Sequence, residues 1–341
     1  MANLDFIVAK VRGMRGKIHE GPLLLALCEL PNIRDLAAAL APGRPIGDTI
    51  GLQRHLTAEH VASLHTILNH LDGWEARLFL AMLRRYQAEN LKVILRCWAA
   101  KSNESLLAAY TVDVPAPLGL PAQYLMKSPD LETLIGRVPV NMLREGAMLG
   151  LGEFEESGRM FFVEAGIDKA CFAELGRAAD EARGEARDAV LGLVHLELDI
   201  CNVMLVLRGL FNYSMNFNKL RLFLAPFGDH AGMNVLEDIR GAENLDAAAL
   251  RVPAALLEPD GAALTGDTVE TAMWRKLYHA AHRQYYASVL DFGAVAAFHY
   301  IKRIELRNLI RISEHIRYGE RGAAIRDKLI GLPRVAAAEA I

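Results

Sequence analysis

The 341-residue sequence has little of what most functional classes require. It has no basic surplus: 38 Lys and Arg stand against 41 Asp and Glu, a formal charge of −3 and a pI near 6.4, which argues against a main role in gripping nucleic acid phosphates. Four cysteines (Cys28, Cys97, Cys171, Cys201) lie far apart without a CxxC or a Cys–His cluster. They read as small buried hydrophobes rather than a disulfide framework. No stretch of 18 uncharged apolar residues occurs; the most apolar, Ala189 to Phe211, carries Glu197, Asp199 and Arg208, so it is not read as membrane-spanning. The start carries Asp5, Lys10, Arg12, Arg15 and Lys17 in place of a signal-peptide core. Motifs for a P-loop, a GxSxG nucleophile elbow and a strand-borne GxGxxG are missing; Gly150-Leu-Gly152 follows a helical stretch. Disorder is excluded by an apolar fraction of 52%. A mean hydropathy of +0.15 points to faces buried on partners and, with the lack of a leader, to a cytoplasmic location.

Proline is the next scarcity. None falls between Pro45 and Pro115 or between Pro139 and Pro226, which leaves room for long helices. Ala, Leu, Arg and Glu fill those blocks, and neither Asp72-Gly73 nor Asp260-Gly261 is flanked by alternating β-branched runs. The predicted class is all-α. Helix starts are expected at Thr57-Ala-Glu59, at Ser128-Pro-Asp130-Leu-Glu132 and at Asp168-Lys-Ala-Cys171. A Pro-rich linker is expected over Val112–Met126, and a second break at Ala225–Asp229.

What is present is an internal repeat. Three helical stretches carry a polar residue and then an asparagine three positions on: Gln87 and Asn90, Asp199 and Asn202, Glu305 and Asn308. The asparagines stand 112 and 106 residues apart. A leucine-rich segment lies ahead of each, at Arg34–Leu40, Asp130–Gly136 and Val235–Gly241. The expected organisation is therefore three similar helical units, 1–112, 113–225 and 226–341, each with a short helix, a loop and long helices. The polar pairs share a helix face inside an apolar surround, and buried polar groups need partners. Backbone amides of loops, or the caps of short helices, are the expected ones, which makes the six residues structural.

A competing reading makes Glu197, Asp199 and His195 a metal or acid–base cluster in an all-α bundle. Di-metal bundles use Glu-x-x-His on facing helices, and no histidine here has Glu three residues ahead. His60, His65 and His70, spaced by five, do not share a helix face, and His279-Ala-Ala-His282 lacks a carboxylate at ligand spacing. The basic stretch Lys10, Arg12, Arg15, Lys17 reads as a solvated face ahead of a contact with acidic headgroups or an acidic shaft. Neither cofactor, metal nor catalytic residue is expected.

Four stretches, in order, resemble one family. Ala9-Lys-Val-Arg12-Gly-Met-Arg15-Gly-Lys-Ile18 resembles the start of the C-type subunits of the A/V-type (vacuolar/archaeal-type) rotary ATPases, the relatives of the d-type subunit of the eukaryotic V-ATPase. Gly166–Phe172, Glu197-Leu-Asp199-Ile-Cys-Asn202 with Leu207-Arg208, and Tyr300–Ile312 with Gly331-Leu332-Pro333 resemble its later segments. The first unit departs in having Gln87 for an acid; the third has Glu314 where the others have Arg96 and Arg208. The resemblance implies a funnel of three helical domains about a pseudo-threefold axis. It further implies a non-catalytic rotor part, one per complex and peripheral at the cytoplasmic face. Its partners would be the central-stalk subunits and the membrane proteolipid ring; nucleic acid would not be among them.

Overall fold

The computed structural model describes residues 4–258 and 263–332, and among these no strand occurs. The chain opens with α1 (Leu4–Arg15), α2 (Pro22–Cys28) and α3 (Ile33–Leu40), followed by the long α4 (Thr49–Leu68) and α5 (Gly73–Ala99). Short helices α6 (Glu104–Tyr110), α7 (Ala122–Met126), α8 (Leu131–Gly136), α9 (Asn141–Leu149) and α10 (Leu151–Ser157) lead to the long α11 (Phe161–Asp180) and α12 (Arg187–Leu207). After α13 (Phe217–Leu220), α14 (Met233–Arg240) and α15 (Leu245–Ala249) come the long α16 (Val269–Ala287) and α17 (Phe292–Arg317), and then α18 (Ala323–Arg326).

Side-chain caps set many of these starts. Asn32, Asp48, Asn103, Asp130, Asn244 and Asp291 each accept an orphan amide of the helix they precede. Asp130 is thus the cap expected around Ser128–Glu132. Two expected starts are corrected. Thr57 lies inside α4, with its hydroxyl turned back on the Gln53 carbonyl, because Asp48 caps that helix nine residues earlier. Asp168 lies inside α11, where its carboxylate pairs with Lys92 at 2.9 Å. The linker expected over Val112–Met126 gives way to α7 at Ala122. Asp72-Gly73 starts α5, with Gly73 at φ +59°, while Asp260-Gly261 and Pro333 lie outside the described residues.

Three pairs of long helices dominate the packing, and they interlock. The first helix of each pair lies against the second helix of another: α11 on α5, α16 on α12, and α4 on α17. One large apolar core runs from Ile7 to Leu332 through all three pairs, with two smaller clusters beside it. Gly184–Asn212 is long and apolar enough to cross a membrane by length and composition. It is the centre of this fold, and 67% of its most apolar window is buried inside the chain. The backbones of α9 and α11 approach closely where Gly146 and Gly166 face each other; a Cβ on Gly166 would lie 2.1 Å from the Gly146 carbonyl oxygen. Gly166→Ala must therefore push α9 off α11, and overpacking of this kind costs about 1–3 kcal/mol. The expected result is a lower midpoint in urea unfolding with far-UV helicity kept.

Candidate functional site

The second helices of the three pairs meet at one buried carboxylate. Glu197 of α12 is 2% exposed. It accepts from Arg303 of α17 at 2.5 Å, from Arg85 of α5 at 3.1 Å and from the Tyr300 hydroxyl at 2.9 Å. Arg85, Glu197 and Arg303 are separated by 112 and 106 residues, the spacing of the three asparagines. Burial alone would push the Glu197 carboxyl up, but the guanidiniums of Arg303 and Arg85 and the Tyr300 hydroxyl hold it below the usual carboxylate range. Nearby His60 and His299 are kept neutral by burial, His299 being pushed down to about 3. Charge at this junction is therefore one carboxylate against two guanidiniums.

The six residues singled out in the sequence lie beside this junction. Each asparagine grips one backbone unit farther along the chain with both ends of its amide. Asn90 donates to the Val112 carbonyl at 2.8 Å and accepts its N–H at 2.9 Å. Asn202 does the same at Ala225 (3.2 and 2.8 Å) and Asn308 at Ile330 (2.8 and 3.0 Å). The residues three positions earlier reach the backbone just ahead of a short helix. Gln87 donates to the carbonyls of Pro117 and Gly119 ahead of α7 (3.2 and 3.5 Å). Asp199 accepts from the amides of Gly228 and His230 ahead of α14 (2.9 and 2.7 Å). Glu305 reaches back to the start of the chain and accepts from the His19 amide and ring Nδ1 ahead of α2 (2.7 and 2.8 Å). Each bound residue nearest the helix, Gly119, His230 or His19, stands three positions before it. That seam is reinforced by Glu20, which binds Tyr278 and His282 of α16 and Arg15; His282 of the HxxH pair is thus a seam residue.

The rival cluster does not assemble. Glu197 faces the guanidiniums, Asp199 the two loop amides, and His195 bonds Asp229 at 3.0 Å. Among the described residues no group of three or more His, Cys, Asp or Glu is placed to hold a metal. In the basic N-terminal stretch, Lys10 bonds the Thr66 carbonyl, Arg12 the Val289 carbonyl and Arg15 Glu20.

Beside the junction opens a cavity of about 460 Å³, walled by α5, α11, α12, α16 and α17. Across it Lys92 pairs with Glu89 and Asp168, and Arg96 with Glu164. On the other side Arg208 and Arg307 share Glu270, and the guanidiniums of Arg303 and Arg307 lie 5.0 and 4.9 Å from the Trp274 ring centroid. The lining thus mixes charged side chains with apolar ones such as Phe161, Phe172, Met204 and Trp274. The sequence reading missed Arg85 and Arg303 as partners of Glu197. Their signal was available, because the position five before each asparagine reads Arg, Glu, Arg. Nothing in the sequence marked Trp274 or Glu270, which depend on how α16 docks.

Two expectations follow. Glu197→Gln takes the anion from the buried Arg303 and the half-buried Arg85, and breaking a buried pair from one side costs about 3–5 kcal/mol. Because the folded-state pKa is depressed, the Glu197 contribution is present above the unfolded carboxyl pKa and lost as pH falls through the folded one. The gap between wild type and Glu197→Gln in chemical denaturation should hold at pH 7 and close in acid. Asp199→Leu removes the buried carboxylate that accepts from the Gly228 and His230 amides, and hydrogen bonds to a charged group contribute about 1.5–3 kcal/mol. A thermal melt should show the loss; an unchanged melt would count against a buried structural role.

No curated protein matches the sequence. Residues 7–328 match the model of the ATP synthase (C/AC39) subunit family. With the match running over nearly the whole of this helical chain, it belongs to that family of V/A-type ATPase subunits.

Proposed function

We propose that the chain is the non-catalytic rotor subunit of an ion-translocating V/A-type ATPase. In this reading it joins the central stalk to the membrane proteolipid ring and passes torque between them. It would be made of three copies of one helical unit, 1–112, 113–225 and 226–341, closed into a funnel about an approximate threefold axis. It would sit peripherally at the cytoplasmic face, one copy per complex, without cofactor or catalytic residue.

The observation that carries the proposal is the recurring contact set. The junction of Arg85, Glu197 and Arg303, the grips of Asn90, Asn202 and Asn308, and the interlocked helix pairs repeat at the same spacings. A shaft collar must resist twisting. Glu197 ties α12 to α5 and α17, and Gln87, Asp199 and Glu305 each reach from one unit to the backbone at the start of the next, so sliding one helix pair past another breaks these contacts together.

The test is co-purification. The tagged full-length chain, expressed with the other subunits of its ATPase, should capture the central-stalk subunits and the detergent-solubilised proteolipid ring in stoichiometric amounts. ATP hydrolysis by the detached soluble head should be the same with and without it. Capture of neither the stalk nor the ring would overturn the proposal.

A further inference from the structure

The exit from α12 is one residue longer than the exits from α5 and α17. Asn90 and Asn308 grip backbone 22 positions on, whereas Asn202 grips backbone 23 positions on. The place of the extra residue can be narrowed from both sides. Six positions after each asparagine the three helices still agree: Arg96, Arg208 and Glu314 bond the first helix of the next pair at Glu164, Glu270 and Gln53, each at 2.6 Å. Farther on, each exit passes through one residue of positive φ, Lys101 at +51°, Ser214 at +50° and Gly319 at +82°. From that residue to the gripped one, the separation is eleven positions in all three exits. The extra residue therefore lies between Arg208 and Ser214.

Backbone bonding shows how it is held. At the end of α5 the Ala100 amide donates to the Arg96 carbonyl and the Ser102 amide to that of Cys97, both at 2.9 Å. At the end of α17 Tyr318 donates to Glu314 at 3.1 Å and Glu320 to His315 at 2.9 Å. After α12 the corresponding carbonyls, those of Arg208 and Gly209, are met by Tyr213 at 3.1 Å and Met215 at 2.8 Å. Each donor stands one position later than in the other exits. One and the same helix ending is thus closed around an additional residue, and Arg208–Asn212 form a π turn, the wide helical turn that takes up such a residue. Continued as α-helix, the extra residue would rotate everything after it by about 100°. Ala225 would then leave Asn202, which is 1% exposed and would be left with unpaired amide groups.

We propose that the π turn at Arg208–Asn212 is a register compensator. It stores one residue, so that Arg208 keeps its pair with Glu270 on one side while Asn202 keeps its grip on Ala225 on the other. Beyond the turn, Tyr213 comes to lie against Phe161, with ring centroids 5.9 Å apart, and Met215 enters a small core with Phe162, Leu220 and Phe223. The device belongs to the fold of the chain and holds whether or not the chain turns in a rotor.

The experiment compares three single-residue deletions in the full-length chain, each at an exposed position: Asn212 in the π turn, Ala100 at the end of α5, and Asn218 beyond Ser214. Urea unfolding reads the stability, and hydrogen–deuterium exchange followed by mass spectrometry reads the peptides that carry Val112 and Ala225. Deletion of Asn212 gives the α12 exit the length of the other two. It should leave the unfolding midpoint and the protection of the Ala225 peptide close to wild type. Deletion of Ala100 should raise exchange at Val112, and deletion of Asn218 exchange at Ala225, by about tenfold or more, because each shortens an exit that holds no slack. Loss of protection or of fold on deleting Asn212, to the extent seen with the other two, would overturn the proposal. So would wild-type protection at Ala225 after deletion of Asn218, which would make the whole connection, rather than the turn, the place of the slack. Wild-type protection at Val112 after deletion of Ala100 would overturn it as well, since the shorter exits would then have a residue to spare.

Discussion

A carboxylate taken fully out of water has to be repaid by its neighbours, and Glu197 obtains that from two other helix pairs at once. The apolar surfaces of α5, α12 and α17 are tolerant of small sliding movements, because burial has no direction. Glu197 is not tolerant. A slip of one turn along a helix axis, about 5.4 Å, takes it beyond bonding reach of Arg85, Arg303 and Tyr300. The junction therefore fixes the axial register of all three pairs, whatever it adds to net stability. Around it the asparagines fix how the chain leaves each pair, and Gln87, Asp199 and Glu305 fix where the next short helix begins.

Much of this was legible in the sequence, for reasons that differ from residue to residue. The all-α class followed from missing proline and missing strand alternation, which act locally. The polar pairs stood out because Asp199 and Asn202 sit in an otherwise apolar run, and a buried hydrogen-bonding group must have a partner. Which partner could not be read, since the bound backbone carries no side-chain signature: Val112, Ala225 and Ile330 are ordinary apolar residues. Thr57 and Asp168 misled for the opposite reason. Their side chains suit a helix cap, but Asp48 had already opened α4, and Lys92 on another helix claimed Asp168. Long-range pairing overrode the local preference in both places.

The cavity divides along the same line. Its helices and their order were predictable, whereas its charge balance depends on α16 docking against α12 and α17, which brings Glu270 and Trp274 to arginines of other helices. Helix periodicity reports which face is buried; it does not report what the buried face meets.

The contact between Glu305 and His19 spans 286 residues of chain. Alongside it α4 takes its packing partner from α17. A ribosome emits the beginning of this chain long before either partner exists, so the earliest helices must wait, apolar faces uncovered, until the last long helix emerges. Contacts of such sequence separation close slowly. The amino-terminal helices thus complete their packing only once α17 is available to them.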